Sequence, residues 1–208
     1  MDQEADVRLG NHNQGWMIIK FSVMNLPELV TEIKKGNAAA EEIFIKQLSR
    51  RYILLCRRYV KDHGDAEERM HDGFLKFLST IHSFKYQGEP ALHGWIGRIM
   101  VNECIGYLRK KSSFSIVPED EAQEISIPEE ILDRLSAAEI YRIILDLPMG
   151  YRTVFNLFEI EGWTHKEIAV ALGISENTSK SQLSRAKTLL QKILISNGIY
   201  YGKQSGQR

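Results

Sequence analysis

Between Gly162 and Leu190 the chain reads GWTHKEIAVALGISENTSKSQLSRAKTLL, and this stretch narrows the possible folds more than any other. Thr164 followed three residues later by Glu167 is a capping box, and Ile168, Ala169 and Leu172 then recur at helical spacing. Gly173 supplies a turn, Ser175 an N-cap, and Glu176 an acid suited to the positive end of a second helix dipole. Along that second helix Ser179, Leu183, Ala186 and Leu190 fall on one side. The other side carries Asn177, Ser181, Ser184 and Thr188, flanked by Lys180, Arg185 and Lys187. The spacing predicts a helix-turn-helix, whose second helix can lie in the major groove of DNA. Lys and Arg reach phosphates or guanine edges, and Asn and Ser are short enough to approach bases. An ordinary helical hairpin with a solvated face is the plain alternative. The small Ser and Thr residues speak against it, since solubility alone would select the stronger helix formers Glu and Lys.

The formal net charge of zero hides an uneven distribution. Residues 25–111 hold 15 Lys and Arg against 11 Asp and Glu, whereas residues 112–138 hold 1 against 7. Acid is thus concentrated in one short stretch, which leaves its flanks mildly basic. Cys56 and Cys104 lie in apolar helical contexts and read as reduced core residues of a cytoplasmic protein. The six histidines show no metal-ligand spacing beside a cysteine, so neither a metal site nor a cofactor is expected. No apolar run is long enough to span a membrane, and the first residues lack the order of a signal peptide.

In chain order, residues 1–24 show no periodicity and read as a mobile extension, with Met24 an alternative start. A helix is expected around Leu29, Val30 and Ile33, and a longer one from about Ala38 to Val60 with a basic face of Lys46, Arg50, Arg51, Arg57 and Arg58. Asp62 to Asp65 reads as a turn before the amphipathic segment DAEERMHDGFLKFLSTI, in which Met70, Phe74, Phe77, Leu78 and Ile81 face a core. Glu68, His71, Asp72 and Lys76 lie outside it. The segment SFKYQGEPALHG reads as a loop, after which Trp95 opens a helix ending in Arg109, Lys110 and Lys111. With Arg98, Asn102 and Tyr107 that helix offers cations interleaved with aromatics, a composition that grips single strands. Residues 112–130 form an acidic, proline-containing linker, a helix resumes at Ile131, and GYRTVFNLFEIEG leads into the helix-turn-helix. The expected fold is all-α: two small helical domains, 25–111 and 131–195, then a tail, 196–208.

This order of parts resembles the extracytoplasmic-function sigma factors, two-domain specificity subunits of bacterial RNA polymerase in the sigma-70 family, over roughly residues 25–195. DAEERMHDGFLKFL is similar to the family's acidic polymerase-binding helix, and GWIGRIMVNECIGYLRKK to its Trp-led promoter-melting helix. The segment from LPMGYR to SRAK resembles the family's closing domain. The resemblance implies that Glu68, His71 and Asp72 dock on the beta-prime clamp helices of core polymerase, with the beta flap a second contact. It implies that Tyr86 and Gly88 lie in a loop holding a flipped nontemplate base of the minus-ten element. Trp95, Arg98, Asn102 and Tyr107 would border the melting duplex and Arg109, Lys110 and Lys111 its phosphates. Asn177, Lys180, Ser181, Ser184, Arg185 and Lys187 would serve the minus-thirty-five element. The acidic linker would thread through the polymerase, and an anti-sigma protein is implied as a further partner. Two positions depart from the pattern: His71 stands for a common Gln, making that contact sensitive to pH, and Gly106 for Asp or Asn.

Two other readings remain for comparison. A dimeric regulator independent of polymerase would need a dimer surface and a palindromic operator, and no heptad seam or ligand domain is visible. An enzyme could be built on Cys56 and His63, but no orienting acid or oxyanion motif accompanies them, and no small-molecule substrate is expected.

Overall fold

The computed structural model describes residues 25–111 and 136–196, and every regular element among them is helical. The expectations for residues 1–24, for the acidic linker 112–130, for Ile131 and its neighbours up to 135, and for residues 197–208 lie outside the described residues.

Helix α1, Leu26–Lys34, opens on a reciprocal Asn25–Glu28 capping box with Pro27 in the first turn, where a missing N–H is harmless. Asn37 caps α2, Ala38–Tyr59, by accepting from the N–H groups of Ala39 and Ala40. Helix α3, His63–Thr80, starts earlier than the turn expected at Asp62–Asp65, because Asp62 accepts from Asp65 N–H and so becomes its N-cap. Helix α4, Glu89–Lys111, also starts earlier than expected. Pro90 suits a first helical turn, and Gly94 sits within the helix, so Trp95 lies in the second turn and does not open the helix.

Helices α2, α3 and α4 enclose a core in which Phe44 stacks on Phe77 at 5.1 Å and Tyr52 meets Phe74 edge-on. Each such buried side chain contributes about 1.5–3 kcal/mol relative to exposure. Gly73 lets α3 press against α4, since a Cβ there would collide with the sulfur of Met100. Cys56 and Cys104 are buried free thiols, as their apolar contexts suggested.

The second lobe comprises α5, Ala137–Asp146, α6, Met149–Phe155, a π-helical turn Asn156–Ile160, α7, His165–Leu172, and α8, Glu176–Ser196. Ser136 and Glu139 cap α5 reciprocally. Ile143, Leu147, Ala186, Leu190 and Leu194 form a local core. Val154, Leu157, Ile168, Leu172 and Leu183 instead join the core of the first lobe, so one apolar interior runs through both.

Candidate nucleic-acid interface

The helix-turn-helix is fixed by short-range bonds that the sequence announces. Thr164 and Glu167 exchange capping hydrogen bonds at 2.8 and 3.2 Å, and Gly173 takes the left-handed conformation, φ 69°, that ends α7. Ser175 accepts from Thr178 N–H at 2.9 Å and starts α8. Ser179, Leu183, Ala186 and Leu190 are buried, as expected of the inner face. A tie the sequence did not announce lies between His165 Nδ1 and Ser179 Oγ, 2.9 Å apart, with His165 also stacked on Phe158. Burial first, and the Lys180 charge second, push the His165 imidazolium below its usual range.

Asn177 and Lys180 are exposed at the start of α8, while Ser181, Ser184 and Arg185 are half-buried. Lys187 does not stand free: its Nζ meets Glu159 at 2.8 Å.

On the first lobe an aromatic ladder supports the segment before α4. Phe77 meets Trp95 at 5.3 Å, Trp95 stacks parallel to Phe84 at 4.6 Å, and Phe84 meets Tyr86 at right angles. Lys34 Nζ donates to the carbonyl of Phe84 at 2.6 Å. Gly88 adopts φ 97° and its carbonyl accepts from Leu92 N–H, which closes the turn into α4. Tyr86 is thus the outermost rung and Trp95 a half-buried inner one. Asn102, Arg109 and Lys110 are exposed. Arg98 is exposed too, but its guanidinium lies 5.4 Å from the ring centroid of Trp163 in the other lobe.

Tyr107 and Lys111 depart from the free stacking and phosphate-binding groups the sequence suggested. The Tyr107 hydroxyl donates to Asp65, Lys111 Nζ donates to the same carboxylate at 2.8 Å, and Arg69 covers the Tyr107 ring at 5.1 Å. Both residues are therefore tied to the start of α3.

Glu68, His71 and Asp72 share the outer side of α3. Arg69 lies between the acids, 2.8 Å from Glu68 and 3.3 Å from Asp72, and Glu67 sits 4.0 Å from His71. Leu75, one turn beyond, is 66% exposed. Helical spacing with Met70, Phe74, Phe77, Leu78 and Ile81 leaves it off the inner face, and the fold keeps it in solvent.

Residues 44–114 match the family described as Sigma-70 region 2, and residues 137–190 the one described as Sigma-70, region 4. The ECF RNA polymerase sigma-E factor of Haemophilus influenzae is 26% identical over 179 residues, spanning 78% of this chain and 92% of that protein. The RNA polymerase sigma-H factor of Pseudomonas aeruginosa is 24% identical over 181 residues, 80% of this chain and 92% of that protein. The ECF RNA polymerase sigma-E factor of Escherichia coli K12 is 28% identical over 172 residues, 76% of this chain and 88% of that protein. Among solved structures, CnrH in complex with the cytosolic domain of CnrY is similar at 19% identity and a TM-score of 0.44, over 81% of this chain and 96% of that chain.

Proposed function

The chain belongs to the extracytoplasmic-function group of the sigma-70 family, and from that premise we propose that it binds core RNA polymerase, recognises a bipartite promoter and helps open it. It is an initiation factor and supplies no chemical step; phosphodiester chemistry belongs to the polymerase. We assign residues 25–111 to polymerase docking and the minus-ten element, 112–130 to a linker, and 131–195 to the minus-thirty-five element.

The observation that carries this reading is α8, whose exposed start presents Asn177 and Lys180 while Ser179 and Leu183 seat it on α7 and the core. Asn177, Lys180, Ser181, Ser184 and Arg185 read the minus-thirty-five element, with Lys187 a lesser contributor while Glu159 holds it. Tyr86 and Gly88 shape the pocket for a flipped base, supported by the ladder through Trp95. Arg98, Asn102, Arg109 and Lys110 follow the opened strand. Glu68, His71 and Asp72 steer the clamp helices of beta-prime, and Leu75 gives that face an apolar centre. The beta flap and an anti-sigma protein complete the proposed partners. Among the described residues no helix is long and apolar enough to cross a membrane.

Two weak DNA contacts become strong when one polymerase carries both, because the second forms at high effective concentration. The test is to add the purified chain to core polymerase and map transcript starts on genomic DNA. New, defined starts are expected. Lys180→Ala with Arg185→Ala should abolish them while polymerase binding persists; a chain that binds polymerase without redirecting initiation would end this reading.

A further inference from the structure

The inner face of α8 mixes two kinds of contact. Leu183, Ala186 and Leu190 are buried apolar groups, and apolar contact has no preferred direction. Ser179 is wholly buried as well, yet it is polar, and a buried hydroxyl is costly unless it is hydrogen-bonded. Other hydroxyls of α8 turn back on their own helix: Ser181 donates to the carbonyl of Thr178 at 3.0 Å, and Thr188 to that of Ser184 at 3.0 Å. Ser179 instead reaches across to α7, where its Oγ lies 2.9 Å from Nδ1 of His165. The imidazole is itself held in place. Thr164 and Glu167 cap α7 reciprocally and so fix the backbone of His165, the first residue of that helix. The ring of Phe158, from the π-helical turn, lies against its face with centroids 4.5 Å and planes 22° apart. Burial and then the Lys180 charge keep the imidazole neutral at pH 7, with one nitrogen donating and one accepting, so Nδ1 serves the Ser179 hydroxyl in either role.

Direction matters at this point in α8. Ser179 lies inward between Asn177 and Lys180, which are exposed at the start of the helix. A side-chain group about 6 Å from a helix axis moves by about 2 Å when the helix rolls by about 20°. Recognition needs such groups held to within about 0.5 Å and 10–20° by neighbours that are themselves locked. The packing of Leu183 and Ala186 leaves a roll of that size open, whereas a hydrogen bond to a fixed imidazole does not.

We infer that His165 is a positioning residue for base readout: through Ser179 it sets the roll of the first turns of α8, and with it the placement of Asn177, Lys180 and Ser181 in the major groove. The role rests on the sigma-factor reading above and adds to it a residue outside the DNA-facing set. Phe158 holds the ring, the ring holds Ser179, and Ser179 holds the helix that reads. Losing the tie should therefore cost discrimination between base pairs more than it costs affinity for DNA as such.

The test is a ratio: the affinity of the polymerase complex for a mapped promoter duplex over that for duplexes with single base pairs changed in the minus-thirty-five element. Ser179→Ala removes one oxygen and installs a stronger helix former, so the fold should survive it. The ratio should fall by about five-fold or more, while affinity for the changed duplexes stays within about two-fold. His165→Gln, whose amide falls where Nε2 stood, should lower the ratio equally. His165→Asn, whose amide falls where Nδ1 stood, should keep it within about two-fold of wild type. Ser179→Ala combined with His165→Gln should do no more than either alone, because both remove the same bond. An unchanged ratio in Ser179→Ala overturns the proposal, even if the thermal midpoint drops, since that is what a merely structural bond would give. A loss in His165→Asn as large as that in His165→Gln overturns it too, and so do losses that add in the double variant. A wild-type complex with no preference at the minus-thirty-five element ends the sigma-factor reading and this one with it, so the wild type alone tells the two failures apart.

Discussion

The hydroxyl of Tyr107, near the end of α4, donates to the carboxylate of Asp65 in the first turn of α3, and Lys111 Nζ closes the group with its own bond to that carboxylate at 2.8 Å. The Lys111 hydrogen bond, then that of Tyr107, holds the Asp65 carboxyl below its usual range, and Asp65 in turn raises the Lys111 ammonium. A carboxyl depressed in the folded state contributes stability above its unfolded pKa, about 3.9, and loses it as pH falls through the lower folded value. The difference in thermal midpoint between wild type and Asp65→Asn should therefore be constant from neutrality to about pH 4 and close below it. A difference that persists undiminished at pH 2 would show that the ionised carboxylate is not what binds the two helices.

Two glycines should answer alanine with opposite signs. At Gly73 a Cβ would collide with Met100, so Gly73→Ala forces that side chain aside and should destabilise by about 1–3 kcal/mol. At Gly106 nothing lies within 4 Å, and the residue is interior to α4. Gly106→Ala should stabilise by about 0.5–1 kcal/mol through reduced freedom of the unfolded chain. Urea midpoints measure both, and equal signs would contradict the packing described between α3 and α4.

Leu75 allows the docking face to be tested without disturbing the core. With most of its surface in solvent, Leu75→Ala should leave the thermal midpoint nearly unchanged. If it is the apolar centre of the clamp contact, affinity for core polymerase should drop by roughly 5–30-fold, about 1–2 kcal/mol. Unaltered affinity in a competition assay would confine that contact to the acids.

What the sequence disclosed follows the range of the interactions. The capping box at Thr164, the stop at Gly173 and the cap at Ser175 act within four residues and were legible. The start of α4 was misplaced because Gly88, Pro90 and Gly94 together resemble a loop, although Pro90 in a first turn is compatible with a helix. The burial of Arg152 and Asn156 is not legible: both are polar, yet they are buried where Arg152 donates to the carbonyl of Tyr59 and Asn156 to that of Arg58, at the end of a helix some ninety residues earlier. Tyr107, Lys111 and Lys187 read as free for nucleic acid because their partners, Asp65 and Glu159, are distant in the chain.

The Glu159–Lys187 pair yields a prediction in which two lysines of one helix separate. Each phosphate neutralised by a lysine releases counterions, so the slope of log affinity against log salt falls in magnitude by about 0.9 when such a contact is lost. Lys180 is exposed and should show that loss on substitution by alanine. Lys187 is held at 2.8 Å by Glu159, so Lys187→Ala should change the slope by clearly less. Glu159→Gln removes the competing charge, which should tighten binding and steepen the slope as Lys187 turns to DNA. Fluorescence anisotropy of a promoter duplex bound by the polymerase complex across a salt series resolves the three variants. Equal slopes for Lys180→Ala and Lys187→Ala would mean that the intramolecular pair gives way to phosphate without resistance.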